Sequence, residues 1–277
     1  MRVFVYPITI DTHRDSFDLY FAGDFHYGAP TCDESAIHRL IDSIVENNKT
    51  RTTRVILMGD LVNAFPKLDR RNWGRSQNDP DVLELYKEFK DLIKPISRNV
   101  VACLTGNHDE EWMKQENIDT VNWLCAELNM PYATYESFIR FKVKRKSMRF
   151  GRNVDVVAWH GSGGGRTAGG AFNTARRPID SFRTPTIVAM GHLHRLGVLH
   201  EQYLSIDEKR ETLVSDDQYF CLTGGYLKGY DPPDSTYISR KMLPPVAIGA
   251  LKSTIQPFGS LLGGETDALK IKFEEIN

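Results

Sequence analysis

Five short clusters gather side chains suited to metal chemistry. They are Gly23-Asp24-Phe25-His26, Gly59-Asp60-Leu61-Val62-Asn63, Gly106-Asn107-His108-Asp109, His160-Gly161 and Gly191-His192-Leu193-His194. Their donors are carboxylate, amide and imidazole, with no thiolate among them. Such a set suits Mn, Fe, Zn, Co or Ni better than a soft metal, and Mn is the first expectation. One ion takes about three or four protein ligands, so seven or eight donors imply two divalent ions. A carboxylate can bridge such a pair, which clamps the attacking and leaving oxygens of an in-line displacement. Glycine beside the ligands lets the backbone turn without a side chain crowding the ion.

The elements that must position these clusters are short apolar runs, one before each. They are 19–22, 55–58, 100–104, 154–158 and 187–190. Each run reads as a strand. In open α/β sheets ligands gather just past the C-terminal edges of strands, where these clusters fall. Five of the eight histidines lie there, while His13, His38 and His200 read as surface or helix-face residues. Amphipathic stretches alternate with the runs, the rhythm of an α/β protein. The spacing predicts helices over 32–48 with Thr31 and Glu34 as a capping box, 80–94 capped by Asp79, and 117–129 with Ile118 inward. After residue 195 the pattern becomes short β-like pieces (197–204, 211–214, 218–222, 235–239 and 269–274), expected as a mainly antiparallel second sheet.

The 277 residues are expected to form a single domain, 1–277. With 35 Lys+Arg against 36 Asp+Glu, the net charge of −1 excludes a bulk electrostatic grip on nucleic acid or anionic membrane. No apolar stretch is long enough to span a bilayer. The first residues lack a signal-peptide pattern. Cys32, Cys103, Cys125 and Cys221 form no C-x-x-C pair and read as buried free thiols, so the expected location is the cytoplasm.

In order, G-D-x-H, G-D-x-x-N, G-N-H-D, H-G and G-H-x-H run from Gly23 to His194, and on them the sequence resembles the calcineurin-like metallophosphoesterase superfamily. The resemblance implies a four-layer α/β/β/α sandwich of two mixed sheets flanked by helices, with a dinuclear metal site at the C-terminal strand ends. It implies Asp24, His26 and His194 as ligands of a first ion, Asp60 as the bridging carboxylate, and Asn107, His160 and His192 as ligands of a second. His108 is implied as the acid that protonates the leaving oxygen, with Asp109 as its orienting partner. The implied activity is hydrolysis of a phosphate ester by metal-activated hydroxide. General chemistry agrees: two cations cancel the charge that repels hydroxide, and a cationic imidazole hands a proton to a poor leaving group.

Where protein Ser/Thr phosphatases continue with Asp-Arg-Gly, this chain reads Val62-Asn63-Ala64-Phe65 and lacks that branch's phosphate-gripping arginine. The resemblance is closer to small bacterial, archaeal or viral enzymes that cleave phosphodiesters, whether nucleic acid or cyclic nucleotide. The alternatives are a phosphomonoesterase acting on nucleotides or small molecules, and a catalytically silent metal-binding scaffold.

Three stretches bear on the substrate. Arg166, in the glycine-rich run after His160, either reaches a phosphate or belongs to a loop that threads round the metals. Arg70 and Trp73 either hold a phosphate and stack a base, or Trp73 anchors its loop to the body. The basic alternation over 141–152 reads as a hairpin that either tracks a nucleic-acid backbone or is an edge protected by lysine.

Overall fold

The computed structural model describes residues 1–12, 15–65, 80–147, 151–164, 167–182, 185–207, 211–230, 239, 242, 245, 247–261 and 264–277. In chain order the elements are β1 (Arg2–Ile10), β2 (Phe17–Ala22), α1 (Glu34–Thr50), β3 (Thr53–Leu57), α2 (Val82–Ile93), β4 (Val100–Leu104), α3 (Asn107–Glu116), α4 (Thr120–Leu128), β5 (Tyr132–Thr134), β6 (Glu136–Arg145), β7 (Arg152–Trp159), α5 (Ala168–Ala175), β8 (Ile187–Met190), β9 (Leu196–Asp207), β10 (Thr212–Thr223), β11 (Ala250–Leu261) and β12 (Gly264–Ile276).

They form two six-stranded mixed sheets, ordered β1-β6-β7-β8-β10-β9 and β12-β11-β2-β3-β4-β5. Side-chain alternation along the strands builds the layers. On β2, Tyr20 and Ala22 face α1 and α2, where they meet Ile37, Leu40, Tyr86 and Phe89. Leu19 and Phe21 face the other sheet, against Phe141, Val156 and Ala189. Beyond that sheet, Met190 and Leu222 pack on Ala171 and Ala175 of α5. The result is the α/β/β/α sandwich. Strands buried on both faces read as unbroken apolar runs, which is why β2, β3 and β4 stand out in the sequence. Each fully buried Leu or Phe here contributes about 1.5–3 kcal/mol.

The expected helices need adjustment at their starts. Asp33, not Thr31, caps α1 by accepting the Ala36 N–H at 3.0 Å. Thr31 lies two residues before that cap, and its carbonyl takes the Lys228 N–H. Asp81, not Asp79, caps α2 in a capping box with Glu84. The expected 117–129 helix begins at Thr120, since Asn117 is left-handed (φ 55°) and ends a separate helix, α3. Ile118, expected inward, is exposed.

The C-terminal strands do not make a sheet of their own. The β9–β10 hairpin extends the first sheet, and the β11–β12 hairpin extends the second. The expected 235–239 piece lies outside the described residues apart from Ser239. The 141–152 alternation is the β6–β7 hairpin, but β1 covers β6, so this strand is interior rather than an edge.

In the second sheet β2, β3 and β4 are parallel, and in the first β7 and β8 are parallel. All five end where the two sheets meet the same cluster of side chains, described next.

Candidate metal centre

The turns after β2, β3 and β8 hold their residues in an uncommon backbone conformation. Asp24 (φ 49°), His26 (φ 44°), Asp60 (φ 48°), His192 (φ 65°) and His194 (φ 51°) are all left-handed. Such non-glycine residues cost on the order of 1–3 kcal/mol each and cluster at functional sites. Interlocking bonds hold them there. Asp24 N–H donates to the Gly59 carbonyl at 2.8 Å, His26 N–H to the Asp60 carbonyl at 3.1 Å, and His192 N–H to Asp24 Oδ2 at 2.9 Å. Gly106 fits only because it lacks a side chain: a Cβ there would strike Asp60 Oδ1 and the Asp60 backbone nitrogen.

Three groups of potential ligand atoms result, each with its atoms within 4.8 Å of one another: Asp24, His26 and His194; His26, Asp60 and His108; Asp60, His160 and His192. Asp60 is common to the last two. Its Oδ2 lies 3.3 Å from His160 Nε2, 3.7 Å from His26 Nε2 and 3.8 Å from His108 Nε2. Asn107 joins the last group, with Oδ1 3.0 Å from His160 Nε2 and 2.7 Å from His192 Nδ1.

The hydrogen bonds fix which ring nitrogens carry protons. His160 Nδ1 lies 2.8 Å from the Met58 carbonyl, and His192 Nε2 lies 3.0 Å from the Gly163 carbonyl. A carbonyl only accepts, so both nitrogens are N–H donors. Burial lowers the His192 pKa and keeps that ring neutral, with one proton. His192 Nδ1 therefore turns a lone pair toward Asn107 Oδ1, itself an acceptor. On the other side Asp24 Oδ1 is buried with no hydrogen-bond partner among the described residues, and His26 Nε2 and His194 Nε2 face each other at 3.2 Å. A divalent cation resolves converging lone pairs of oxygen and nitrogen, so the donor set fits metal.

Charge is unevenly held in the pocket. Burial pushes Asp24 up to about 8, with Asp60 and Asp109 adding to the rise against the pull of His160. Burial also holds His26 well below the imidazole range and His194 down to about 4. Asp60 and His160 go the other way. Burial disfavours both charges, but each partner offsets it, so Asp60 is held low and His160 high. Asp24, His26, Asp60 and His160 are fully enclosed, while His108, His192 and His194 are partly exposed and mark the open side.

A protein-family model, calcineurin-like phosphoesterase, matches residues 17–196, more than half of the chain. The chain belongs to this family. It is accordingly a metal-dependent hydrolase acting on phosphoric esters. No curated protein matches the sequence.

Around the centre of this phosphoesterase, several contacts escaped sequence reasoning. Asp109, expected to orient His108, directs its oxygens elsewhere. Its Oδ2 accepts the N–H groups of Asp60 (2.9 Å) and Gly106 (2.8 Å), and its Oδ1 accepts the Tyr86 hydroxyl at 2.5 Å. Tyr86 sits in the apolar stripe of α2, where spacing alone marks it as core. Phe65 meets the His108 ring at 4.4 Å and 85°. Tyr135 meets the His160 ring at 5.4 Å and 78°.

Arg166, Arg70 and Trp73 lie outside the described residues. The described part of the basic 142–152 hairpin lies at the opposite end of β7 from His160, with Arg152 roughly 26 Å away at about 3.3 Å per strand residue. Several of its cations are engaged internally: Lys146 pairs with Asp11 at 2.7 Å, and Arg152 donates to the Pro257 carbonyl at 3.2 Å. Tyr226 stacks on Phe25 at 4.8 Å in the core.

Proposed function

We propose that this phosphoesterase is dinuclear and cleaves phosphodiesters, of nucleic acid or a cyclic nucleotide. Asp24, His26 and His194 hold one ion, Asn107, His160 and His192 hold the other, and Asp60 bridges them. The observation that carries this reading is the place of Asp60 Oδ2 between the two ligand sets, 3.7 Å from His26 Nε2 and 3.3 Å from His160 Nε2. Two divalent ions, Mn first and Fe, Zn, Co or Ni otherwise, supply charge neutralisation and a lowered water pKa.

The chain's own residues do the rest. His108, on the open side, donates a proton to the leaving oxygen. Its backbone N–H donates to Asp60 Oδ1 at 2.9 Å, which ties the acid to the bridging carboxylate. Asp109 acts through Asp60 by holding that turn from below. The sequence after the Asp60 turn, Leu61 to Phe65, brings no cation to the site. That stretch also lacks the phosphate-gripping arginine of the protein Ser/Thr phosphatase branch, which supports a substrate other than a phosphoprotein.

Strands from both ends of the chain complete the two sheets, which supports one domain over 1–277. The four cysteines are free, which supports a cytoplasmic protein, and no described helix is long and apolar enough to cross a membrane.

The test is the rate on a chromogenic phosphodiester against its monoester with Mn²⁺, using His160→Ala as the contamination control. Diester preference, abolished in His160→Ala, is expected. Monoester preference would make the protein a phosphomonoesterase. Two bound ions with no turnover of either ester would make it a scaffold.

A further inference from the structure

Tyr135 stands where the chain crosses from the second sheet to the first, between the end of β5 and the start of β6. Its three contacts all reach the segment that begins with His160. The Tyr135 carbonyl accepts the His160 N–H at 3.0 Å. Its ring packs against the His160 imidazole. Its hydroxyl donates to the Gly161 carbonyl at 2.7 Å.

Gly161 opens the loop that carries Gly163 and Gly164. Its own φ is +109°, and a Cβ there would press on Met190 Cγ at 2.7 Å and on His192 Cβ at 3.1 Å, so the loop passes close against His192. At Gly163 and Gly164, by contrast, a Cβ would meet nothing within 4 Å. Yet it is the Gly163 carbonyl that takes the Nε2–H of His192 and leaves Nδ1 facing Asn107. The hydroxyl bond of Tyr135 thus anchors the loop two residues before the carbonyl that sets the His192 tautomer.

We propose that Tyr135 is a positioning residue for the Asn107–His160–His192 half of the centre: by anchoring Gly161 it holds the Gly163 carbonyl in place to fix His192 with its proton on Nε2. The inference rests on the dinuclear reading above. A partner that orients a metal-binding histidine through its other ring nitrogen affects metal affinity by about 10–100-fold when lost. Tyr135 acts one step further out, on the loop that carries the partner.

Tyr135→Phe removes the hydroxyl and keeps the ring against His160. Mn²⁺ titration by calorimetry, with metal counted after dialysis, compares it with the wild type. The expected result is two ions in the wild type. In the variant one site is unchanged and the other is weakened about 10-fold. A merely structural role would lower the melting temperature of the metal-free protein without separating the two sites. Both sites unchanged from the wild type, or both weakened equally, would overturn the proposal. A wild type that binds a single ion would overturn the dinuclear reading instead. Histidine ¹⁵N NMR of the metal-free wild type gives a second readout that needs no variant. His192 is expected as the Nε2–H tautomer, and an Nδ1–H tautomer would overturn the proposal.

Discussion

Tyr86→Phe removes one hydroxyl from beneath the metal centre and leaves the ring packed in the core between α2 and the second sheet. What is lost is the 2.5 Å hydrogen bond to Asp109 Oδ1. Asp109 is 1% exposed, so water does not replace the donor. A hydrogen bond to an ionised group contributes about 1.5–3 kcal/mol and one between neutral groups about 0.5–1.5 kcal/mol. Burial, with Asp60 adding, lifts the Asp109 pKa to about 6, and the Tyr86 hydroxyl is among the groups that pull it back. At pH 8 Asp109 is ionised, and the variant is expected to lose about 1.5–3 kcal/mol. At pH 5 the carboxyl is protonated in the native state, and the expected loss shrinks to about 0.5–1.5 kcal/mol. The sign follows from linkage. The hydroxyl favours the ionised form, so its extra contribution is present above pH 6 and is lost as pH falls through it. Urea unfolding of chelator-treated wild type and variant at the two pH values measures both numbers. A difference that is the same at both, or larger at pH 5, would refute the assignment of Tyr86 as a donor to a buried carboxylate.

Two further predictions concern the same turns. Gly106→Ala sets a methyl group against Asp60 Oδ1, which is fixed by the His108 N–H, and against the Asp60 N–H, which is fixed by Asp109. It is expected to cost about 1–3 kcal/mol by overpacking and to weaken Mn²⁺ binding, and an unchanged melting temperature of the metal-free protein would count against it. Asp24 is pushed up to about 8 by burial and holds its proton at pH 7 when metal-free. Ligation needs the carboxylate, so metal uptake releases that proton and affinity rises with pH toward 8. His160, held up to about 10, gives up a proton on ligation as well, so calorimetry at pH 7 in buffers of different ionisation enthalpy is expected to count two protons released, and a count of one or fewer would exclude Asp24 as a ligand.

The donors of the centre were legible in the sequence because each doubly buried strand is a short apolar run that stops at a polar turn. Position along the chain then coincides with position in the fold. Support residues lack that coincidence. Tyr86 shares its helical spacing with Val82 and Phe89, and nothing local separates a tyrosine that donates to Asp109 from one that fills space. Tyr135 lies in a crossover whose significance depends on which strands pair. The helix starts missed by two residues because Thr31 and Asp79 are as good acceptors as Asp33 and Asp81. Sheet membership of the C-terminal hairpins was equally out of reach, since β11 pairs with β2 more than two hundred residues away.

The centre draws on both sheets, and this explains how its backbone strain is sustained. Asp24, Asp60 and Asn107 follow strands of one sheet, and His160, His192 and His194 follow strands of the other. Bonds cross between the two sets. The Met58 carbonyl takes the His160 Nδ1–H, Asp24 Oδ2 takes the His192 N–H, and the Tyr135 carbonyl takes the His160 N–H. None of these bonds forms unless the inter-sheet core, with Phe21, Phe141 and Val156, sets the spacing of the layers. Five left-handed residues at about 1–3 kcal/mol each are more than a loose loop could hold. Here they close only when both sheets are already packed. The positions of the donors are therefore fixed by the core of the whole sandwich, and not by any one loop that carries them.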